Sequence, residues 1–434
     1  MTNYNAFVRQ ATGSDMLPFQ EEVLIATSMY PKTIVKAPTG SGKSLAFLVA
    51  LLKAKDDKKW NRALVLSPSR ELTLQLAEVF RSMKSGVTNT VCYGGHDFKT
   101  EVNELREKPD VVFATPGRFA DHLRRESVEG KEFDAFILDE EDKIAELGFQ
   151  KEIDFITEHL GRLTFVIRVS ATAGDMLSGY HTVECKTTLP EDRMSFYRIS
   201  VEDHDHKALA LLSLLVELVK SGKNAVVFFN HREAVDRLAD YIEHKGLPVA
   251  VYHGGLEQTE RERNSIRFRN GTSNVFFVTD LAARGIDVPG ISAVIHYQFP
   301  VKEEDFIHRN GRTARMLESG EVYVLETEEE LQGKEYLRTI DFVEKQARFE
   351  VPAVPEQLWE TLYFSLGKKD KVNKVDILGF LTKQVGVDGK AIGRIDTLDQ
   401  MTFVAVRTSV VNKILKLGRG QKLKKKSVKV SVCK

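Results

Sequence analysis

Short apolar runs, each closed by a polar cluster and followed by a stretch with apolar positions every three or four residues, recur along most of this chain. Residues 33–35, 63–66, 90–93, 111–114, 135–138 and 165–169 read as buried strands. Residues 17–30, 45–52, 70–83 and 118–125 read as helices between them. Continuous apolar strands alternating with helices predict a parallel sheet covered on both faces. The rhythm fades between Val183 and Ile199, where Pro190-Glu191-Asp192 marks a turn and a domain boundary. It restarts with strands at 225–229, 249–252, 275–278, 293–296 and 322–325. The expectation is two tandem α/β parallel-sheet domains, 1–190 and 200–347, followed by a linker at 348–360 that contains Pro352 and Pro355.

Residues 361–434 follow a different pattern. Strands at 362–366, 393–396, 401–406 and 426–432, with helices at 375–384 and 410–417, give the order β-α-β-β-α-β of a small α+β, RRM-like RNA recognition module. Tyr363, Phe364 and Phe403 are either base-stacking aromatics or core residues. Charge sharpens this picture. The formal net charge is zero, yet the segment from Ser365 to Lys434 holds 17 Lys and Arg against 5 Asp, an excess of +12. A basic tail beside an acidic body points to a polyanion, and Lys422 to Lys429 are its candidate phosphate contacts. With 29% charged and 42% hydrophobic residues, no apolar run nears the roughly 18 residues of a membrane span. The N-terminus lacks the basic and apolar regions of a signal peptide, so the expectation is a cytoplasmic protein. Cys92, Cys185 and Cys433 fit no zinc or disulfide spacing and read as plain thiols.

The polar clusters that end the strands carry the chemistry. Ala37-Pro38-Thr39-Gly40-Ser41-Gly42-Lys43-Ser44 lies between a strand and a helix, the context of a loop that cradles phosphates with backbone N–H groups. There Lys43 can reach terminal phosphates and the Ser44 hydroxyl can ligate Mg2+. Gln20, seventeen residues before Ala37, offers a donor and an acceptor to an adenine edge. A strand runs into Asp139-Glu140-Glu141-Asp142, where one acid can hold Mg2+ and its neighbour can polarise a water. Another runs into Ser170-Ala171-Thr172, hydroxyls able to relay between the nucleotide and a neighbouring element. In the second half, Gly285 permits close backbone approach and Asp287 can orient a ribose or an arginine. His308 to Arg315 form a basic cluster; Arg312 and Arg315 share a face if that segment is helical, and suit the charge that builds on a transferring phosphoryl group. A nucleotide site in one domain and arginines in the other predict hydrolysis that requires closure.

Taken in order, these motifs resemble the DEAD-box RNA helicases of superfamily 2. The resemblance rests on Ala37 to Ser44, Pro68-Ser69-Arg70-Glu71-Leu72, Gly94-Gly95, Thr115-Pro116-Gly117-Arg118, Asp139 to Asp142 and Ser170 to Thr172. It continues through Gln258 and Arg261, Thr279-Asp280 with Arg284 to Asp287, and His308 to Arg315. It implies two RecA-like domains and these roles. Gln20 reads adenine; Lys43, Ser44, Asp139 and Glu140 bind and hydrolyse Mg-ATP; Arg312 and Arg315 reach the γ-phosphate. Ser170 and Thr172 couple ATP state to strand separation. Arg70, Gly95, Thr115, Gly117, Arg118, Gln258, Arg261 and Thr279 line the RNA backbone. Three departures stand out: Glu141 occupies the usual Ala position of the acidic motif, no Pro-Thr precedes Gln20, and Ser44 and Ser69 replace Thr.

The last 70 residues resemble the RNA-binding domain of bacterial DbpA-type helicases, on Gly386 to Ile395 and Phe403 to Val406. That implies a structured RNA target, in that group a large-subunit ribosomal RNA hairpin. The expected function is an ATP-dependent RNA helicase that remodels structured RNA in ribosome assembly and acts as a monomer. Two alternatives stand beside it. An ATP-gated RNA clamp or annealing chaperone is separated by strand displacement, and a DNA translocase by competition between RNA and DNA.

Overall fold

A computed structural model describes residues 3–37, 41–170, 178–185, 194–280, 290–313, 319–331, 334–418 and 421–433. These fall into two compact units that divide between Cys185 and Met194.

In the first unit seven parallel strands form one sheet: β1 (Lys32–Lys36), β2 (Ala63–Leu66), β3 (Asn89–Cys92), β4 (Val111–Ala114), β5 (Ala135–Leu138), β6 (Phe165–Ser170) and β7 (His181–Glu184). Their spatial order is β3-β4-β2-β5-β6-β1-β7. Strands β2, β4 and β5 are buried at every position, because helices cover both faces and no solvent side is left to a polar residue. The helices are α1 (Tyr4–Thr12), α2 (Pro18–Met29), α3 (Lys43–Asp56), α4 (Arg70–Ser82), α5 (Phe98–Arg106), α6 (Pro116–Arg124), α7 (Glu141–Glu146) and α8 (Gln150–His159). Helix α3 is buried along most of its length, Leu45 to Leu52 included, so it forms the centre of the larger core cluster. Helix α1, whose one buried residue is Val8, was not among the elements expected from the apolar pattern.

The second unit repeats the arrangement. Strands β8 (Met194–Ser200), β9 (Ala225–Phe229), β10 (Val249–Tyr252), β11 (Val275–Thr279), β12 (Ala293–His296), β13 (Gly320–Glu326) and β14 (Val343–Glu344) lie in the order β10-β11-β9-β12-β13-β8-β14. Counted from each half's first strand, this is the strand order of the first sheet, although the second half lacks a phosphate-loop sequence. Helices α9 (His204–Lys220), α10 (Arg232–His244) and α11 (Gln258–Arg269) pack on it. Strand β8 occupies the stretch where the apolar pattern fades; it pairs in parallel with β13, Met194 opposite Gly320 through Ser200 opposite Glu326.

The C-terminal segment forms a four-stranded antiparallel sheet, β15 (Trp359–Phe364), β16 (Ile392–Thr397), β17 (Thr402–Arg407) and β20 (Val430–Val432), in the order β16-β17-β15-β20. The single strand expected at 426–432 is replaced by a small hairpin, β18 (Lys422–Leu423) with β19 (Lys426–Ser427), before β20 begins. Lys424 and Lys425 have φ of 49° and 68°. Two successive left-handed residues form the tight hairpin turn that matches strand twist, and they break a continuous strand. The helix expected at 375–384 is α-helical at Lys374–Gly379 and π-helical at Phe380–Gln384.

This domain leans on α11. Ile266, Phe403 and Cys433 are buried together, with Tyr363, Leu398 and Met401 packed around them. The Thr361 hydroxyl bonds to Asn270 Nδ2 at 3.1 Å and to the Thr272 hydroxyl at 2.7 Å.

Candidate functional site

The phosphate-loop sequence enters from β1 and leaves into α3. Ala37 is buried and donates its N–H to the Ser170 carbonyl at 3.1 Å. Pro38, Thr39 and Gly40 lie outside the described residues. Gly42 precedes α3 at φ 83°, a conformation that favours glycine. It also has no room for a side chain, since an added Cβ would stand 2.5 Å from Gln20 Nε2. Gln20 is buried; its Oε1 accepts the Leu17 N–H at 2.9 Å and its Nε2 donates to the Gly42 carbonyl at 3.1 Å. The amide proposed for adenine thus holds the loop backbone, with one N–H to spare. Gly42→Ala is expected to push Gln20 off the loop and weaken ATP binding by about 1–3 kcal/mol, read as the Kd of a fluorescent nucleotide; unchanged affinity would show the loop adapts.

Lys43 and Ser44 open α3, where the unpaired N–H groups of a helix N-terminus favour anions. Asp139 and Glu140 meet Lys43 from the end of β5. That strand is not β1's neighbour; β6 lies between them. Lys43 Nζ stands 3.9 Å from Glu140 Oε1, both side chains nearly closed off from water. Asp139 is 1% exposed, and its Oδ1 has no hydrogen-bond partner. Burial pushes its carboxyl up to about 7; Lys43 opposes the rise, and Glu140 adds to it. An orphaned buried carboxylate oxygen beside a second acid supplies hard oxygen donors of the kind that suit Mg2+. Glu140 is also backbone-strained, at φ 50°, ψ 52° in the left-handed region.

A second cluster lies beyond the edge strand β3. Gly94 and Gly95 are exposed, Gly95 at φ 88°. Arg118 supports that turn from beneath: Nε donates to the Tyr93 carbonyl at 3.1 Å and Nη2 to the His96 carbonyl at 2.9 Å. The Arg70 guanidinium sits 4.8 Å from the centre of the Tyr93 ring. Thr115 precedes α6, and Gly117 lies in its first turn. The hub beneath is Glu101, which sequence reasoning missed. Fully buried, it accepts from the Tyr93 N–H at 3.0 Å, His96 Nδ1 at 3.1 Å and His122 Nε2 at 2.7 Å, and lies 3.5 Å from Arg118 Nε. Cys92, Glu101 and His122 also converge within 4.8 Å. Glu101 already carries these hydrogen bonds, and burial with Glu101 and Glu104 nearby pushes the Cys92 thiol up. The group is therefore a hydrogen-bonded support for the turn rather than an ion cage.

The second unit builds the same device. After β10, Gly254 and Gly255 are exposed. Arg261 donates from Nε to the Leu256 carbonyl at 3.0 Å and from Nη2 to the Gly254 carbonyl at 2.8 Å. Gln258 is the first residue of α11, and Thr279 the last of β11. Arg309, in the helix Glu303–Asn310, is 1% exposed and forks onto both oxygens of Asp280 at 2.5 Å. It also donates to the Gln298 carbonyl and to Asn230 Oδ1. That helix ends before Arg312, which sits in the following turn rather than on a helix. Arg315, Gly285, Asp287 and Thr172 lie outside the described residues; Ser170 ends β6.

The third domain corrects the aromatic reading. Phe364 is fully buried in the core of its own domain. Phe403 is 1% exposed in the contact with α11, and Tyr363 is half-buried beside it. Neither Phe is available to stack on a base.

Residues 17–178 match the family described as DEAD/DEAH box helicase, residues 206–317 the helicase conserved C-terminal domain, and residues 361–432 the DbpA RNA binding domain. The chain is 32% identical over 440 residues to the ATP-dependent RNA helicase DbpA of Escherichia coli (strain K12), covering 96% of this chain and 94% of that protein. It is 27% identical over 449 residues to the ATP-dependent RNA helicase DbpA of Bacillus subtilis (strain 168), covering 95% and 93%. Among solved structures, S. cerevisiae Dbp5 bound to RNA and ADP BeF3 shares the fold with a TM-score of 0.68 at 22% identity, over 79% of this chain and 93% of that one.

Proposed function

The chain belongs to the DEAD-box family of RNA helicases, and from that premise we propose that it opens short stretches of structured RNA, in ribosome assembly, by Mg-ATP hydrolysis. ATP-dependent RNA helicase activity is the property of the family. The finer reading rests on one observation above others: Asp139, buried with an unpartnered oxygen, lies beside Glu140 and Lys43 at the phosphate-loop helix.

In this reading the domains are 1–190, 200–347 and 361–434, joined by the linker 348–360. The loop from Ala37 to Ser44 holds the ATP phosphates, and Gln20 fixes both the loop and the adenine edge. Ser44 and Asp139 would hold Mg2+, which supplies charge neutralisation to the phosphates when bound. Lys43 draws the terminal phosphate toward the acids. Glu140 orients the attacking water and takes its proton. Arg312 and Arg315, with Gly285 and Asp287, complete the nucleotide site on closure. Ser170 and Thr172 transmit the nucleotide state.

Arg70, Gly95, Thr115, Gly117 and Arg118 in the first half, and Gln258, Arg261 and Thr279 in the second, present the RNA backbone track. Supporting this assignment, each half carries an exposed glycine pair in a turn whose backbone carbonyls, at or beside the pair, are held by an arginine. Fixed turns of this kind offer backbone N–H groups to phosphates without reading bases. No helix among the described residues is long and apolar enough to cross a membrane. We place the protein in the cytoplasm as a monomer.

The C-terminal domain anchors the core on its RNA by charge and raises its local concentration there. Lys424 and Lys426 are paired with Asp376 and Asp370, whereas Lys422, Lys425 and Lys429 are exposed. Replacing those three with Ala is expected to reduce the slope of log affinity against log salt by about 2, at about 0.7 per phosphate contact on single strands. An unchanged slope would place the anchor elsewhere.

Steady-state ATPase without RNA, with a random single strand, with large-subunit ribosomal RNA and with DNA tests the whole. Strong preference for ribosomal RNA is the expected result. Equal stimulation by every RNA leaves a general RNA remodeller, and no stimulation by RNA overturns the reading.

A further inference from the structure

Glu141, the residue that departs from the family's acidic motif, is half of a two-point ion pair. Arg168 donates from Nε to Glu141 Oε2 at 2.9 Å and from Nη2 to Oε1. Both side chains are about a quarter exposed, at 28% for Glu141 and 26% for Arg168, and the guanidinium lies 5.9 Å from the centre of the Tyr180 ring. Parallel charge-assisted bonds fix orientation as well as distance. We propose that the Glu141–Arg168 pair is a positioning device that ties the hydrolytic acids to the strand carrying Ser170, and so keeps ATP turnover coupled to strand separation. The inference rests on the helicase reading above.

The two residues sit where such a tie has leverage. Glu141 is the first residue of α7 and directly follows Glu140. Residues held in the left-handed region persist there only when their surroundings over-determine them. Helix α7 has only six residues, too few to hold its own start in place. Arg168 supplies an external fixture one residue from the strain.

On the other side of the pair, Arg168 and Ser170 are the two half-buried positions of β6, while its other residues are buried. Residues two apart on a strand share a face, so Arg168 stands on Ser170's side of the sheet. Arg168 is in register with Leu138, the residue before Asp139, and with Ile34 of β1. The Ser170 carbonyl receives the Ala37 N–H of the phosphate loop. A shift of the end of β6 therefore reaches both the loop and the coupling hydroxyl, and the ion pair ties that end to the acids.

An ordinary ion pair of this partial exposure would contribute a little stability and nothing else. The experiment separates the two. Glu141→Ala, Arg168→Leu and the double variant are made in the full-length chain, checked by thermal melting, and assayed for RNA-stimulated ATP turnover and for duplex displaced per ATP hydrolysed. Each single variant is expected to keep turnover within about threefold while displacing about tenfold less duplex per ATP, and the double to be no worse than the poorer single, because either replacement alone already removes the tie. Single variants that displace duplex as well as wild type, a double that recovers wild-type displacement, or a double whose loss is that of the two singles combined, overturn the proposal. A wild-type chain without RNA-stimulated turnover overturns the parent reading and takes the pair's role with it, a result distinct from normal turnover with unaltered coupling.

Discussion

Glu140→Gln is expected to lower the rate of ATP hydrolysis by about a hundredfold to ten-thousandfold, the range a positioned general base supplies, while leaving ATP binding close to normal. The amide has the shape of the carboxylate but cannot accept the proton of an attacking water. Lys43 and the helix N-terminus at Ser44, the proposed phosphate contacts, are left in place. The buried position and left-handed backbone of Glu140 belong to the turn rather than to its charge, so the site should keep its form. Because ATP then persists, the closed state persists, and RNA should leave more slowly with ATP than without it. Single-turnover hydrolysis and RNA dissociation with ATP present are the two measurements. Hydrolysis within tenfold of wild type would remove Glu140 from water activation; rapid RNA release would separate ATP retention from RNA retention.

The legibility of the candidate site in the sequence follows from where its residues lie. Strands β2, β4, β5 and β9 are buried from end to end, so each appears in the sequence as an unbroken apolar run with a sharp polar end. Their bounds agree with the reading residue for residue. The candidate chemistry sits at strand ends: Asp139 and Glu140 follow β5, and the loop to Lys43 follows the apolar centre of β1. Strand β8 was missed because its residues form neither an unbroken apolar run nor a clean alternation: Ser195 is exposed, and Phe196, Tyr197 and Arg198 are half-buried. Its identity as a strand comes from pairing with β13, a partner more than a hundred residues away.

The same limit hid the supports of the site. Glu101 is an unremarked acid in an amphipathic helix until α5 packs against α6 and brings it to His122. A buried charged hub has no sequence signature, because its partners arrive through tertiary contact. Glu141 was conspicuous as a departure, but nothing local pointed to Arg168, 27 residues on. The third domain failed differently. Strand alternation places Phe403 on one face of β17, but what covers that face depends on the docking of α11. Aromatic residues on a sheet therefore said nothing about whether RNA reaches them.

Arg309 is expected to be the most costly single side chain of the second unit to lose. Its guanidinium is buried and donates to four oxygens, two of Asp280, one of Gln298 and one of Asn230, with the Phe228 ring 5.2 Å away. Arg309→Met removes the cation and leaves those acceptors facing an apolar side chain. Breaking one partner of a buried pair costs about 3–5 kcal/mol; the partial exposure of Asp280, 27%, argues for about 3, since water can still reach its carboxylate. Arg309→Lys keeps the charge but not the planar fork, and a point charge cannot serve Asp280, Gln298 and Asn230 together, so a loss of about 2 kcal/mol is expected. The chain has two tryptophans, Trp60 in the first unit and Trp359 in the second. In a Trp60→Phe background, fluorescence-monitored denaturation reports the second unit through Trp359. Asp280 adjoins Thr279 on the proposed RNA track, and Arg312 follows three residues after Arg309, so RNA-stimulated turnover should fall with stability in both variants. If Arg309→Lys unfolds at the wild-type midpoint, charge alone holds the helix Glu303–Asn310 in place, and the fork is not what aligns Arg312.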